Sequence, residues 1–116
     1  MAVITRHFGM AAYAALAPLT TTINTVADVG VWSVLFLRTK RLVFTATTNN
    51  LLVTVLGSID GGLTFPELLE AEFAVNAGTP VSKVYTTVIT HLKVQVRPAV
   101  AATHGTLNTS YFGTYW

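Results

Sequence analysis

Apolar and polar residues alternate most clearly over residues 92–97, which read Leu-Lys-Val-Gln-Val-Arg. A period of two is typical of a β-strand with one buried face, so Leu92, Val94 and Val96 are expected to face a core. Earlier in the chain, the β-branched apolar run 51–58 enters an Asp-Gly-Gly turn. Such turns between apolar runs are strong hairpin signals, because glycine accepts the positive φ that they require. The pattern therefore predicts β-strands joined by local turns.

The rest of the chain also divides into apolar segments separated by turn residues. The run 31–37 is almost continuously apolar and predicts a strand buried on both faces. Other strands are predicted over 41–47, 64–75, 81–90 and 106–115, with turns at 48–50 and 76–80 and a loop at 98–105. Seven to eight short strands at this spacing predict an all-β fold, an antiparallel β-sandwich or barrel.

The N-terminal segment differs from the rest, because its apolar residues 8–19 follow Arg6 in the manner of a signal peptide. Pro18 would lie just after the expected cleavage site, and the apolar run is too short to cross a bilayer as a helix. We therefore expect residues 1–19 to form an extended N-terminal arm, with room for a short Ala-rich helix, and residues 20–116 to form a single β-sandwich domain. No membrane partner is expected. The arm is predicted to contact the domain or a neighbouring subunit through Phe8, Met10, Tyr13 and Leu16.

The composition indicates a protein that is covered by other proteins. Hydrophobic residues make up 52% of the 116 residues and charged residues only 10%, whereas about 25% charged is usual in globular domains. A subunit with so few charges is expected to bury much of its outer surface against other copies or other proteins. The chain has no cysteine, which excludes disulfides, thiolate metal sites and cysteine catalysis.

The net charge of +2 comes with only seven basic residues, and three of these are Arg38, Lys40 and Arg41. A nucleic-acid-binding protein is expected to show a basic stripe, preferably interleaved with aromatic residues. One short cluster is more typical of a solvated hairpin tip or of a sheet edge protected by charge. No nucleic-acid partner is therefore expected.

The acidic residues and histidines do not form a recognisable catalytic or metal-binding pattern. The three histidines lie far apart, and no His-x-His or His-x-x-x-His spacing is present. The chain also lacks a nucleophile elbow, a phosphate-binding loop and a dinucleotide fingerprint. We therefore expect no enzyme activity, no cofactor and no metal. The acidic residues Glu67, Glu70 and Glu72 are instead candidates for contact with the basic cluster of an adjacent copy.

The segment 58–65, Ser-Ile-Asp-Gly-Gly-Leu-Thr-Phe, resembles the Asp-box, whose pattern is Ser-x-Asp-x-Gly-x-Thr-Trp. A phenylalanine stands at the tryptophan position. Asp-boxes occur in sialidase-type propellers and in other secreted β domains, where they are structural hairpins. In physical terms, the carboxylate is expected to accept hydrogen bonds from backbone amides of the turn while the aromatic ring packs beneath it. The resemblance implies this hairpin role for Ser58, Asp60, Gly61, Gly62, Thr64 and Phe65.

A second resemblance extends over residues 46–113. It rests on an Asn-rich turn, a Val-rich strand into Gly-Ser-Ile-Asp-Gly-Gly, the Ala-Gly-Thr turn 77–79, the alternating segment 92–97 and the segment 99–106. This order is similar to that of small β-sandwich structural proteins of tailed bacteriophages. The resemblance implies a non-enzymatic virion protein that assembles symmetrically with itself and with other capsid or tail proteins. Capsid decoration is the most specific role that it implies, and a neck or tail component is the next.

A different class of function stays open beside this one. A carbohydrate- or receptor-binding module, such as a fibre or spike domain, would use exposed aromatic residues, since aromatic faces suit sugar stacking. Packing of the same rings in the core or at a seam between subunits is the competing interpretation. The candidates for such a site are Trp32, Tyr111, Phe112, Tyr115 and Trp116.

Overall fold

The computed structural model describes residues 5–13, 27–35, 37–47, 49–100, 103 and 105–115 of the chain. Within them the backbone forms eight strands: β1 (Thr5–Tyr13), β2 (Ala27–Ser33), β3 (Leu37–Thr47), β4 (Leu51–Ser58), β5 (Glu67–Val75), β6 (Val81–Tyr85), β7 (His91–Pro98) and β8 (Thr106–Tyr115). The predicted all-β class is confirmed.

The strands form two antiparallel sheets of four strands each. Sheet A has the order β1-β8-β3-β6, and sheet B has the order β2-β7-β4-β5. Two packed four-stranded sheets connected in this way make a jelly-roll β-sandwich. The prediction of an antiparallel sandwich or barrel with seven to eight strands is confirmed: the fold is a sandwich, and the described residues form eight strands. Because most connections cross from one sheet to the other, the loops gather at the two ends of the sandwich.

The core lies between the sheets and is built by the alternating residues that the sequence pattern indicates. In β7, Leu92, Val94 and Val96 are at most 1% exposed, while the residues between them are half-buried. Phe44 of β3 is fully buried and meets the ring of Phe73 edge to face, with the ring centroids 5.6 Å apart. Burial of each such side chain contributes about 1.5–3 kcal/mol, so the alternation decides which face of each sheet turns inward.

The apolar run 31–37 does not form one doubly buried strand, and that prediction is wrong. The run is divided between β2 and β3. The backbone N–H of Leu37 donates to the carbonyl of Val34, and the N–H of Val34 donates to the carbonyl of Thr90. These bonds turn the chain from sheet B to sheet A, which buries Val34 and Leu37 but leaves Leu35 51% exposed.

Residues 5–13 of the predicted N-terminal arm form the strand β1, and residues 14–19 of the arm lie outside the described residues. β1 pairs with β8 over most of its length. This pairing satisfies backbone groups along one edge of β8, which a helix would leave without partners. The structure places three of the arm residues named above in β1, Phe8, Met10 and Tyr13, and Leu16 lies outside the described residues.

Candidate interaction surface

Three loops meet at one end of the sandwich: β2–β3, β4–β5 and β6–β7. Thr90, in the β6–β7 loop, is hydrogen-bonded to both of the other loops or to the strand ends beside them. Its carbonyl accepts the N–H of Val34 at 2.9 Å, and its N–H donates to the carbonyl of Ser58 at 2.8 Å. Its hydroxyl oxygen accepts the N–H of Gly61 at 3.1 Å. We call this part of the molecule the groove end; it consists of residues 34–35, 59–66 and 86–90.

The groove end exposes apolar side chains around a concave site. The exposed fractions are 51% for Leu35, 60% for Ile59, 84% for Leu63 and 70% for Val88. Single exposed apolar residues are ordinary on protein surfaces, whereas a cluster of them around a groove is a candidate for a binding surface. The groove has a volume of about 220 Å³ and is lined by Leu35, Leu37, Ile59, Val88, Ile89 and Thr90.

The β4–β5 loop keeps its shape through the carboxylate of Asp60. Its Oδ1 atom accepts the Ser58 hydroxyl at 2.6 Å and the backbone N–H groups of Leu63 and Thr64 at 3.1 and 3.0 Å. Its Oδ2 atom accepts the Thr64 hydroxyl. These hydrogen bonds, led by the one from Ser58, hold the pKa of Asp60 well below its usual range. A carboxylate that accepts this many donors is a structural anchor, with little capacity left for proton transfer or metal binding.

Two glycines provide the turn in this loop, Gly61 with a φ of 81° and Gly62 with a φ of 93°. A side chain at Gly62 would also press on the ring of His91, because a Cβ atom there would lie 3.3 Å from Cγ of the imidazole. Phe65 is half-buried, and the Nζ atom of Lys93 lies 4.6 Å from the centroid of its ring. The residues that match the Asp-box thus lie together in one loop of the groove end.

Lys40 faces inward, as its position in the alternation of β3 requires, since Leu42 and Phe44 are also buried. Lys40 as a whole is 1% exposed, and its Nζ atom donates to the backbone carbonyl of Thr87 at 2.5 Å. Burial lowers the pKa of Lys40. Lys40 is therefore a core residue, which corrects its prediction as a contact between subunits.

The two arginines of the basic cluster lie on the surface. Arg41 is exposed and donates from Nη1 to the Ser82 hydroxyl at 2.8 Å. Arg38 is exposed as well and follows Leu37, which lines the groove. Within the described residues, Arg38 makes neither a hydrogen bond nor an ion pair, so its exposed guanidinium group is available to another molecule.

Two of the three acidic residues in β5 are paired within the chain. Glu72 accepts two hydrogen bonds from the guanidinium group of Arg97, both at 2.6 Å. The Arg97 hydrogen bond lowers the pKa of Glu72. Glu70 lies 3.5 Å from the ammonium group of Lys83. Glu67 is exposed at the start of β5, next to the groove end, and it has no such partner among the residues that the structure describes.

At the β5–β6 side of the sandwich, the polar side chains of Lys83 and Tyr85 point toward the space between the sheets. The Nζ atom of Lys83 lies 4.7 Å from the centroid of the Phe73 ring. The Tyr85 hydroxyl is buried and meets no hydrogen-bonding partner within the described residues; burial first, and then the nearby Glu70 carboxylate, raise its pKa. The register between β4 and β5 also shifts on both sides of Val55. An inward charge and an irregular register both disfavour the addition of another strand.

The described part of the chain shows no group of three or more histidine, cysteine, aspartate or glutamate residues that could hold a metal ion. It also contains no helix with the length and hydropathy needed to cross a membrane. Trp32 is half-buried and packs against the core. The remaining aromatic candidates are Tyr111, Phe112 and Tyr115, which belong to β8, and Trp116, which lies outside the described residues.

The groove was not identified from the sequence. Ile59 and Leu63 flank the predicted turn, and Val88 lies in a segment that was predicted to be a strand. The signal in the sequence was the presence of apolar residues beside a turn. The period-two pattern does not interpret this signal, because it applies to residues in strands and does not tell whether a loop residue faces the core.

Comparison with known proteins supports the fold. No family model and no curated protein matches the chain. Among solved structures, a chain of the Bacillus endospore appendages, described as a novel family of disulfide-linked pili, matches with a TM-score of 0.55 and 16% identity over 98% of this chain and 89% of that chain. A chain of the infectious bursal disease virus Gx strain matches with a TM-score of 0.53 and 16% identity over 98% of this chain. This chain covers only 32% of that viral chain. At such identities the likeness shows a shared fold.

Proposed function

We propose that the chain is a non-enzymatic structural subunit that assembles symmetrically with copies of itself and with neighbouring proteins of a virion. Capsid decoration is the most specific form of this proposal, and a neck or tail component is the next. The observation on which it rests is the groove end, where Leu35, Ile59, Leu63 and Val88 are all more than half exposed. A surface of this kind is stable in water when another protein covers it.

The size of this surface supports an assembly built from several contacts. The four side chains together expose the equivalent of between two and three whole residues, and burying them would contribute about 4–8 kcal/mol. Association of two proteins costs about 4–15 kcal/mol in lost translational and rotational freedom. Contact through the groove end alone would therefore be weak, and a closed symmetric assembly would add the further contacts that stability requires.

The two solved structures named above support a subunit role because one is a chain of a pilus and the other a chain of a virus. The pili are described as disulfide-linked, whereas this chain has no cysteine. Contacts between its copies would therefore be non-covalent. The resemblance to tailed-bacteriophage proteins and the viral neighbour together support a location in the virion.

The proposal is tested by the mass of the purified full chain in solution, measured by multi-angle light scattering over a range of concentrations. We expect a mass that is a whole multiple of that of one chain, or one that rises with concentration. A monomer at every concentration would count against self-assembly, and binding of that monomer to a glycan array would support the carbohydrate-binding module instead. Immunoelectron microscopy of virions with an antibody against the chain would then distinguish head, neck and tail.

A further inference from the structure

We propose that the groove ends of two copies face each other across a two-fold axis, with Arg38 of each copy paired with Glu67 of the other. The inference rests on the proposed self-assembly and names the surface and the residues through which it occurs. The occupant of the groove end is then a second copy of this chain.

Each of the two charged residues is close in the chain or in the fold to a residue that lines the groove. Arg38 follows Leu37, which lines the groove. Glu67 is opposite Gly57 in the β4–β5 pairing. A Cβ atom placed on Gly57 would lie 2.9 Å from the side chain of Ile89, another lining residue, and 3.5 Å from Cβ of Glu67. Both charged side chains are exposed, so each can reach a molecule that covers the groove.

Arg38 and Glu67 have no partner within the described part of the chain, unlike the other two acidic residues of β5. Glu70 and Glu72 are held by Lys83 and Arg97 in the same subunit. An exposed positive group and an exposed negative group therefore remain, each near a residue that lines or borders the groove. Of the basic cluster and the acidic segment that the sequence predicts to pair between copies, Arg38 and Glu67 are therefore the two residues that we propose to pair.

A surface with exposed charges of both signs can be complementary to itself. In a two-fold contact, residue i of one copy meets residue j of the other and j meets i, so that both charges are paired at once. A partner with a single sign of charge would place a like charge against either Arg38 or Glu67. Charges at the rim of an interface contribute more to the choice of partner than to affinity, and burial of the apolar side chains provides the attraction.

The sandwich offers a less favourable contact along its β5–β6 side. Strand addition there would have to overcome the inward Lys83 and the shifted register around Val55. The groove end instead presents Leu63 and Val88 beside a cavity of about 220 Å³. Each copy thus provides apolar side chains that protrude and a cavity that can receive them.

The test uses charge reversal in the full chain, with association measured by sedimentation velocity at low salt. We expect Arg38→Glu and Glu67→Arg each to weaken association at least tenfold, because each places two like-charged pairs in the contact. The double variant R38E/E67R should restore association to within about threefold of the unmodified chain. Arg41→Glu is the matched control, since Arg41 is exposed but bonds to Ser82 on β6, and it should leave association unchanged.

A second pair of variants tests the apolar part of the same surface. Leu63→Ser should weaken association, whereas Val100→Ser, at a residue that is 63% exposed at the opposite end, should not. Circular dichroism of each variant checks that the fold is retained. If the chain associates but single charge reversals have no effect, or the double variant is not restored, the two-fold contact is wrong and self-assembly stands. If the unmodified chain is a monomer, the proposed function fails together with this inference.

Discussion

Replacing the buried Lys40 with methionine should make the protein more stable. Lys40 lies between the two sheets, is 1% exposed, and its ammonium group donates to one carbonyl, that of Thr87. The ammonium group carries three N–H donors, and the described residues provide no carboxylate within ion-pair distance. Methionine has a similar length and no charge, so Lys40→Met removes the cost of burying the ammonium while keeping the side-chain volume.

The expected magnitude follows from two opposing contributions. The lost hydrogen bond involves a charged donor and is worth about 1.5–3 kcal/mol. The desolvation of a buried ion costs several kcal/mol, and replacement of buried ionic groups by apolar residues stabilises proteins by about 1–4 kcal/mol. Thr87 itself is exposed, so water can satisfy its carbonyl in the variant. We expect a net gain of about 1–3 kcal/mol at pH 7, which raises Tm by about 4–12 °C for a domain of this size.

The assay is urea unfolding at several pH values, with Lys83→Met as the control. The pKa of Lys40 is lowered in the folded state, so between that pKa and about 10.4 the unfolded state binds more protons than the folded state. The unmodified protein should therefore gain stability relative to Lys40→Met as the pH rises through this range. The Lys83 side chain points inward but is 31% exposed where it pairs with Glu70, so its ammonium stays in contact with water and its replacement should change stability by less than about 1 kcal/mol.

Two results would refute this reasoning. A variant that is less stable than the unmodified protein by 1 kcal/mol or more would mean that the hydrogen bond to Thr87 outweighs desolvation. A difference between the two proteins that does not change with pH would mean that the ammonium of Lys40 is hydrated in the folded state. The first result would reverse the expected sign of the energy balance, and the second would mean that the Lys40 ammonium is not part of the core.

Three further predictions concern single residues. Gly113→Ala should destabilise the protein by about 3 kcal/mol or more, because a Cβ atom there would lie 2.0 Å from the carbonyl oxygen of Thr39; urea unfolding would show this, and an unchanged midpoint would contradict it. Asp60→Asn should lower Tm at pH 7 and reduce the loss of stability that the unmodified protein shows as the pH falls below about 4, since the folded-state pKa of Asp60 is lowered; the part of that loss due to Glu72 should remain. Tyr85→Phe should be neutral or stabilising by about 1 kcal/mol, because the hydroxyl is buried without a partner in the described residues. Since the pKa of Tyr85 is raised on folding, the unmodified protein should lose stability above about pH 10, and thermal melts of Tyr85→Phe should not show that loss.

The strands that sequence reasoning located best are those whose pattern depends on neighbouring residues alone. Residues 51–58 and 106–115 were predicted as strands and coincide with β4 and β8. The turn between β2 and β3 was missed, because residues 34–37 contain neither glycine nor proline and the direction of the chain there is set by a bond to Thr90. A contact with a residue so distant in the sequence leaves no local signal.

The candidate surface was predictable only in part for the same reason. The basic cluster and the acidic segment could be named from the sequence, but the partner of each charge depends on the order of the strands in the sheets. Glu72 meets Arg97 because β5 and β7 both lie beside β4. Lys40 is buried because its position has the same parity as Phe44. The register shift between Leu37 and Thr39 reverses the alternation at the start of β3, so that Leu37 is buried and Arg38 is exposed.

The strand order also determines how this chain can fold as it is synthesised. Of the pairings between the described strands, only β4–β5 joins strands that are consecutive in the sequence, so the hairpin that contains Asp60 can form early and locally. β8 lies between β1 and β3, and Thr5 is opposite Thr114. Closing so long a loop costs entropy before the pairing returns any stability. Sheet A therefore cannot be completed until residues 106–115 have left the ribosome, and a chain that stops before them has β1 and β3 without the strand that joins them.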